Sequence, residues 1–342
     1  MNPIDAGAPN GDFDDVALLA KAAQARKRVE DAVAVRVVGQ HETLEMMLVA
    51  LLARGHALLV GVPGLAKTLL VSTLAEALGL SFGRVQFTPD LLPADITGTD
   101  VLQEEEDAHG NLRRKLKFLP GPLFHHLVLA DEINRTPPKT QAALLQAMQE
   151  RTVTVGTTTH ILPNPFQVFA TRNPIEQEGT YPLPEAQLDR FLLEIHLGYP
   201  TAVEELEIAR RTTSEAVGTV DKVLGRDELV ALQRLVPRIP ATEEAIQFAV
   251  NLARASRPGD RGLPSDLAPY VRFGAGPRGS QALVLAAKAR AALRGEAAAD
   301  IDDVKALALG VLRHRLVLSY RAEAEGVSDA DIVARLIASI RV

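Results

Sequence analysis

Apolar residues follow two different spacings along the chain. As far as residue 197, short apolar runs of strand length alternate with stretches in which apolar residues recur every three or four positions. The runs predict buried strands at residues 57–60, 84–87, 127–130, 167–171 and 192–197. The stretches predict helices at residues 14–33, 41–54, 69–78, 136–150 and 185–191. The first part of the chain is therefore predicted to alternate strands with helices.

Beyond Tyr199 the strand-like runs stop. Helices are predicted at residues 201–213, 227–236, 242–256, 279–294, 301–312 and 328–339. Residues 214–225 have the character of a linker, so the later helices are expected to form a small separate bundle. The sequence thus predicts a disordered tail at residues 1–13, an α/β domain at residues 14–213, and a linker with a helical domain at residues 214–342.

Two stretches of the first domain predict β-hairpins. An acidic run at residues 101–106 and a basic run at residues 112–118 flank a turn near His109, which would set Glu104 to Glu106 opposite Arg113 to Lys115. Such cross-strand pairs stabilise a hairpin by about 0.2–1 kcal/mol each. A solvated, self-paired hairpin explains these charges, and the alternative is a protruding element that contacts a client or a neighbouring subunit. A second hairpin is predicted at residues 151–162.

The composition restricts the classes of function. Hydrophobic residues make up 47% of the 342 residues and charged residues 23%, as in ordinary soluble globular proteins. The formal net charge of −6 argues against a general nucleic-acid coat protein. The sequence contains no cysteine, which excludes disulfides, thiolate metal sites and a cysteine nucleophile. Neither a signal peptide nor a membrane-spanning run is recognisable, so we expect a cytoplasmic protein without a membrane span.

A glycine-containing loop joins the first predicted strand to the helix after it. Its sequence is Gly61-Val62-Pro63-Gly64-Leu65-Ala66-Lys67-Thr68. In this context the backbone N–H groups of the loop and of the helix N-terminus can bind phosphate. Lys67 would reach the β- and γ-phosphates, and the Thr68 hydroxyl would bind Mg²⁺. Ala66 stands where the usual pattern has a second glycine. The alternative is an ordinary strand–turn–helix corner.

Polar residues follow two later strands. Asp131 and Glu132 come directly after the apolar run 127–130. Asp131 would hold Mg²⁺, mostly through water, and Glu132 would orient or deprotonate the attacking water. Asn173 lies between Arg172 and Pro174 after another strand, where it can position the water or sense the γ-phosphate. A turn residue before proline is the alternative for Asn173, and the companion motifs favour the sensor.

Arginines provide further candidates. Arg190 is either a salt-bridged surface residue, with Asp189 as its neighbour, or an arginine finger supplied to an adjacent subunit. Arg278 begins a predicted helix, where the helix dipole disfavours a cation, so an anionic partner such as a nucleotide phosphate is indicated. The basic groups at residues 210–211 and 313–315 are predicted to be solvated.

Two smaller features complete the candidates. Val38, Gly39 and Gln40 form a turn between the first two helices, and this turn would lie beside an adenine ring. A turn that simply ends the first helix explains these residues equally well. Thr136 is predicted to cap the helix that runs to residue 150.

The order of these motifs resembles that of the AAA+ ATPases. The residues within the motifs resemble most closely those of the MoxR family of these ATPases. The matching stretches are residues 38–40, 61–68, 86–98, 129–139, 172–174, 182–191 and 276–278. The resemblance extends over nearly the whole chain from about residue 14, and Ala66 is usual in this family. It implies an α/β fold: an AAA+ P-loop NTPase core, which is a three-layer α/β/α arrangement with a parallel sheet, and a C-terminal all-helical lid domain.

The resemblance also implies roles for residues. Glu132 would complete Walker B, Asn173 would be sensor 1, Arg190 the arginine finger and Arg278 sensor 2. Thr68 and Asp131 would hold Mg²⁺. The residues implied to bind ATP are Val38, Gly39, Gln40, Gly61, Val62, Pro63, Gly64, Leu65, Ala66, Lys67, Thr68, Leu69 and Asp131.

Residues 99–118 fall where this branch carries its helix-2 insert, and residues 151–162 where it carries the pre-sensor-1 hairpin; both face the pore in related ring motors. The family implies a hexamer that acts as a chaperone-like ATPase beside a separate protein with a von Willebrand factor A domain. ATP would lie between the two domains of one subunit, and Arg190 of the next subunit would complete the site.

A nucleic-acid motor and a metal-chelatase motor subunit of the same clade are the competing functions. The hairpin at residues 151–162 carries one basic residue besides His160 and no aromatic residue, which disfavours nucleic acid. A non-hydrolysing switch is disfavoured because Glu132 and Arg190 are both present.

Overall fold

The computed structural model describes residues 15–106, 112–175, 179–213 and 218–341, so the predicted tail at residues 1–13 and the predicted turn near His109 lie outside it. The helices are α1 Asp15–Ala34, α2 His41–Leu52, α3 Lys67–Ala77, α4 Pro93–Thr97, α5 Pro138–Glu150, α6 Glu185–Leu188, α7 Ala202–Thr212, α8 Arg226–Leu235, α9 Glu243–Ala255, α10 Pro277–Arg294, α11 Ile301–Leu312, α12 Tyr320–Ala324 and α13 Asp329–Ser339. The strands are β1 His56–Val60, β2 Phe82–Gln86, β3 Gly98–Glu106, β4 Leu112–Pro120, β5 Leu127–Asp131, β6 Thr152–Val155, β7 Thr158–Ile161, β8 Gln167–Arg172, β9 Phe191–His196, β10 Val271–Phe273 and β11 Val317–Leu318.

A five-stranded sheet with the order β2–β5–β8–β1–β9 forms the centre of the first domain, and every pair of neighbours in it is parallel. All residues of β1 and β5 are buried, as expected of parallel strands covered on both faces. Because parallel strands all end at the same edge, the loops that follow β1, β5 and β8 meet there.

Side chains of the strands alternate between two apolar layers. Ala57 and Leu59 pack on one face with α1, α2 and α3, whereas Leu58 and Val60 pack on the other face with α5. The sheet therefore lies between two helical layers, and the prediction of a three-layer α/β/α core with a C-terminal lid is confirmed.

The lid is built from α8 to α13, with α10 packed against α9 and α11 as well as against α1 and α2. Its apolar core is continuous with the sheet face that α1 to α3 cover. The lid also contains a short antiparallel sheet, β10 with β11, and the helix α12, which the sequence did not predict. Two- and three-residue strands are too short to produce a readable alternation.

Both predicted hairpins are present. In β3–β4, Glu104 pairs with Arg114 and their side chains form an ion pair of 3.0 Å. Lys115 lies opposite Gln103 rather than opposite an acid. The rings of Phe118 in β4 and His160 in β7 stack with centroids 3.8 Å apart, so the two hairpins contact each other.

Two local predictions were wrong. The N-cap of α5 is Pro137, and the buried hydroxyl of Thr136 has no hydrogen-bond partner among the residues that the structure describes. The loop predicted after β2 contains α4, a single helical turn in which the Asp95 carboxylate accepts the N–H of Leu92 at 2.8 Å. Among the described residues, no helix is long and apolar enough to cross a membrane.

His56 is a buried residue that ties three elements together. Its Nε2–H donates to the carbonyl oxygen of Met148 at the end of α5 (3.1 Å), and its Nδ1 accepts the N–H of Val168 in β8 (3.0 Å). These partners fix the neutral Nε2–H tautomer, because a carbonyl only accepts and an N–H only donates. Burial lowers the pKa of His56 to about 4; the bond to Met148 opposes this shift and the charge of Arg151 adds to it.

We expect His56 to make stability dependent on pH. A histidine whose pKa is lowered in the folded state contributes its full stability above about pH 6.5 and loses it as the pH falls toward about 4. Between about pH 7.5 and about pH 5 this one residue should account for ~2 kcal/mol of the free energy of unfolding. Urea unfolding of wild type and His56→Gln at both pH values measures it. His41→Gln, at an exposed histidine, is the control. An equal loss in wild type and His56→Gln would contradict the assignment.

Candidate nucleotide-binding site

The loop between β1 and α3 has the backbone that phosphate binding requires. Gly64 and Ala66 both have left-handed conformations, with φ of 87° and 55°. Ala66 is the N-cap of α3, and within the described residues no side chain caps the helix there, so the N–H groups of its first turn face the loop. A left-handed alanine costs roughly 1–2 kcal/mol, which explains why the general pattern prefers glycine here.

Lys67 lies across the inside of this loop. Its ammonium group donates to the carbonyl oxygens of Gly61 at 2.6 Å and Val62 at 2.8 Å. Burial lowers the pKa of Lys67, while the carboxylates of Asp131 and Glu132 raise it. The lysine thus lies between the loop and the two acids, as a phosphate-binding lysine must.

The two acids stand at the end of β5. Asp131 is buried, and its Oδ1 accepts the hydroxyl of Thr171 in β8 at 2.6 Å. Glu132 has a left-handed backbone with φ of 56°, and its N–H donates to the same hydroxyl at 2.8 Å. One threonine therefore orients both acids, and the side chain of Glu132 turns away from the strand direction.

Three further polar residues contact these acids, and the sequence did not single them out. Arg84 donates to Asp131 Oδ2 at 2.7 Å. Glu132 Oε2 accepts from Gln86 at 2.7 Å and from Arg135 at 2.9 Å. A signal was available for two of them, because Arg84 and Gln86 are the alternating exposed residues at the end of the strand next to β5.

Asn173 makes a turn contact and also lines the cavity, where the sensor role stays a prediction. Its Oδ1 accepts the N–H of Ile175 at 3.2 Å, which is the turn role. The residue is also buried in the wall of the cavity that holds Lys67 and Glu132.

These residues enclose a cavity of 430 Å³, within the usual range for ligand sites. Its wall consists of residues 63–69 with Arg84, Asp131, Glu132, Thr171 and Asn173. An anion cradle beside a hydroxyl and a carboxylate fits ATP with Mg²⁺. Within the described residues, no cluster of three or more histidine, aspartate or glutamate side chains could hold a metal ion by itself. A metal here would therefore depend on Thr68, Asp131 and the phosphates.

The predicted adenine turn lies outside this wall but next to it. Gln40 donates to the carbonyl oxygen of Gly198 at 3.5 Å, and Leu197 packs against Gly61. Val38, Gly39 and Gln40 are thus joined to the start of the loop through the two residues that follow β9.

Arg190 and Arg278 lie elsewhere. Both border a second cavity of 320 Å³, whose wall includes His56 at the start of β1 and Phe191 at the start of β9. The phosphate loop follows the other end of β1, which lies next to the end of the parallel strand β9. Six strand residues span about 20 Å, so the two arginines lie about that far from the loop of their own chain.

The surroundings of these arginines differ. Arg278 lies 3.6 Å from Asp189 in an ion pair. Arg190 is exposed, and within residues 15–106, 112–175, 179–213 and 218–341 its guanidinium forms no ion pair. The neighbouring acid, Asp189, is bound instead by Arg315 at 2.8 Å.

The prediction that residues 313–315 are solvated was wrong. His314 and Arg315 are buried, and Arg313 is nearly so. Burial lowers the pKa of His314 well below its usual value, and the charge of Arg315 adds to this. These side chains are buried because carbonyl oxygens and carboxylates of the first domain and the lid surround them. Arg210 and Arg211 are exposed, as predicted.

Comparisons with known proteins agree with this geometry. The model of the ATPase family associated with various cellular activities (AAA) matches residues 56–193, and the AAA lid domain model matches residues 265–336. The chain is 42% identical over 307 residues to Chaperone MoxR1 of Mycobacterium tuberculosis, which covers 89% of this chain and 78% of that protein. It is 35% identical over 319 residues to Protein MoxR of Paracoccus denitrificans, covering 87% and 91%.

A solved structure shows the same fold. The crystal structure of a protein assigned as an ATPase from Cytophaga hutchinsonii superposes with a TM-score of 0.85 at 41% identity, over 95% of this chain and 97% of that one. Fold, cavity and family models together define an AAA ATPase with a lid. Within this class, the chain belongs to the MoxR family.

Replacing the loop lysine tests the phosphate assignment. Lys67→Ala should weaken ATP binding about 10- to 100-fold, because hydrogen bonds to charged groups contribute about 1.5–3 kcal/mol. Calorimetric titration with ATP measures the affinity. Lys27→Ala, at an exposed lysine of α1, is the control and should bind as wild type does. Unchanged affinity in Lys67→Ala would refute the assignment.

Proposed function

We propose that this chain forms a ring, a homo-hexamer, that hydrolyses ATP at subunit interfaces and uses the turnover to remodel or activate partner proteins. The observation that carries this proposal is the separation of the phosphate cavity from Arg190 and Arg278 by the length of a strand. In a head-to-tail ring, one face of each subunit meets the opposite face of the next. Two exposed arginines on one face then reach a phosphate cavity on the other.

Each residue of the cavity has a role in this proposal. The loop and Lys67 hold the phosphates, with residues 38–40 beside the adenine. Thr68 and Asp131 would hold Mg²⁺, which would supply positive charge beside the β- and γ-phosphates. Glu132 activates the attacking water, and Asn173 orients it. Gln86 and Arg135 fix the Glu132 carboxylate until it takes up the water.

Both arginines act on the neighbouring subunit. Arg190 serves as the arginine finger, stabilising the charge that develops on the γ-phosphate. Arg278, on α10 of the lid, lies near Arg190 and contacts the same phosphates of the neighbouring subunit. The expectation that ATP lies between the two domains of one subunit, with Arg190 of the next subunit completing the site, is extended in this proposal by placing Arg278 of that next subunit at the same phosphates.

The two hairpins are proposed to contact the client. Their exposed surface carries four large apolar side chains, which are more than 45% exposed: Leu102, Leu116, Leu119 and Ile161. Exposed apolar groups on mobile or protruding elements suit unfolded or partly folded polypeptide. The name of the mycobacterial relative, a chaperone, agrees with this role. A separate protein with a von Willebrand factor A domain is the partner that the family implies, in a cytoplasmic setting.

A nucleic-acid motor is the alternative within the clade, together with a metal-chelatase motor subunit. The β6–β7 hairpin offers no aromatic platform for bases, as its sequence shows. In the other hairpin Arg114 is paired with Glu104, whereas Lys115 lies opposite Gln103, so the charges there do not decide between the two functions. Protein remodelling is therefore the better supported function.

Mixing of variants tests the shared site. Arg190→Ala should bind ATP normally and lose about 10³-fold or more in kcat, the contribution typical of an arginine finger. Mixing it with Glu132→Gln, which is inactive itself but carries an intact Arg190, should restore turnover. Steady-state phosphate release from the mixture measures this. Full activity of Arg190→Ala alone, or no recovery in the mixture, would contradict the proposal.

A trapped state tests what the ATPase acts on. Glu132→Gln in ATP and Mg²⁺ should bind nucleotide without cleaving it and so retain a protein client. The control is the double variant Lys67→Ala/Glu132→Gln, which should retain none. Replacing both Leu102 and Leu116 by serine should lower client retention while leaving ATP turnover of the wild-type background intact. Recovery of nuclease-sensitive DNA or RNA instead would favour the nucleic-acid motor.

A further inference from the structure

One buried guanidinium from the lid holds the backbone on both sides of Arg190. Arg315, in the turn after α11, donates through Nε to Asp189 Oδ1 at 2.8 Å. Its Nη2 donates to the carbonyl oxygen of Phe191 at 2.8 Å, and its Nη1 to that of Leu192 at 3.3 Å. The contacts therefore bracket residue 190, which is itself free to extend outward.

The carboxylate of Asp189 connects this clamp to the second arginine. Its Oδ2 lies 3.6 Å from Nη1 of Arg278, at the start of α10. The side chain of Arg315 is 4% exposed, whereas that of Arg278 is 58% exposed. The fixed part of the cluster is thus buried, and the two cations that it carries point outward.

Stability alone does not explain such a cluster. A buried ion pair often contributes little to stability, since desolvation offsets the attraction between the charges. Burial lowers the pKa of Arg315, and the carboxylate of Asp189 counteracts this. What the planar guanidinium does supply is several donors in a fixed arrangement, which sets the geometry of the groups it binds.

The same lid turn is also attached near the phosphate cavity. Arg313, two residues before Arg315, lies 3.9 Å from Glu194 in the middle of β9. Glu194 in turn lies 3.6 Å from Arg172, the residue before Asn173. A displacement of this turn would therefore alter contacts at both ends of the sheet, near Asn173 and near Arg190.

We infer that Asp189 and Arg315 are positioning residues that aim Arg190 and Arg278 at the nucleotide of the neighbouring subunit. The inference rests on the proposed function, since it needs a site shared between subunits. Because Arg315 belongs to the lid, the aim of both arginines depends on the lid position. Hydrolysis in one subunit is then controlled by the lid of the next.

Asp189→Asn tests this inference with an almost isosteric change. The variant should lower kcat about 10- to 100-fold, the cost of misplacing a catalytic group by about 1 Å, while ATP affinity stays within about twofold of wild type. Mixing it with Glu132→Gln should restore turnover, because the Glu132→Gln subunit presents correctly held arginines to the intact cavity of its neighbour. At equal amounts, roughly a quarter of the interfaces are competent if subunits mix randomly in a head-to-tail ring.

Two further variants guard against a purely structural effect. Arg315→Lys keeps the charge but loses the planar fork, and should show the same recovery on mixing. Asp303→Asn removes a buried ion pair of 2.7 Å to Arg290 elsewhere in the lid, without touching residues 313–315 or residues 189–192. This control should lower the unfolding temperature without lowering kcat. If Arg315→Lys does not fold, Asp189→Asn still decides the question.

The outcomes separate the two proposals. Recovery for Arg190→Ala but not for Asp189→Asn would overturn this inference and leave the shared site standing. No recovery for either variant would overturn the shared site itself. Wild-type kcat in Asp189→Asn, or a loss that comes with weakened ATP binding in its own cavity, would also overturn the positioning role.

Discussion

The backbone ladder around β1 is the constraint on which the site depends. The strand lies between β8 and β9, and Val60 pairs with both Arg172 and His196. Buried backbone groups must be paired, so this register cannot slip without losing hydrogen bonds. Beyond the strand the ladder continues, since Gly61 N–H donates to the Arg172 carbonyl oxygen at 3.3 Å. The start of the phosphate loop and the residue before Asn173 are thereby fixed relative to each other.

The sheet also determines which residues a single chain cannot bring together. Because the strands are parallel, the loop after β1 and the segment before β9 lie at opposite edges. Leu197 at one end of β9 packs on Gly61, while Phe191 at the other end accepts a hydrogen bond from the lid. The strand β9 therefore lies next to the phosphate loop at one end and directly follows Arg190 at the other. The two parts thus lie on separate faces of the chain, as the proposed ring requires.

Much of this could be predicted from sequence because the motifs stand at the ends of apolar strands. Because the strands are parallel, Lys67, Asp131 and Asn173 must converge at their carboxyl ends. The positions of these residues along the chain are enough to predict this. The burial of Arg315 could not be predicted, because sequence shows its charge but not the carbonyl oxygens that surround it. Arg84 was missed for a related reason: its partner Asp131 is 47 positions away, so only the pairing of β2 with β5 brings them together.

The contacts of Asp131 and Glu132 have a consequence for the interval between turnovers. Two adjacent carboxylates would repel each other once metal and phosphates depart. In this chain Arg84 pairs with one acid, Arg135 with the other, and Lys67 lies near both. The site thus carries its own counterions. Product can leave without creating a local excess of negative charge, and in the proposed function Mg²⁺ would compete with Arg84 for Asp131.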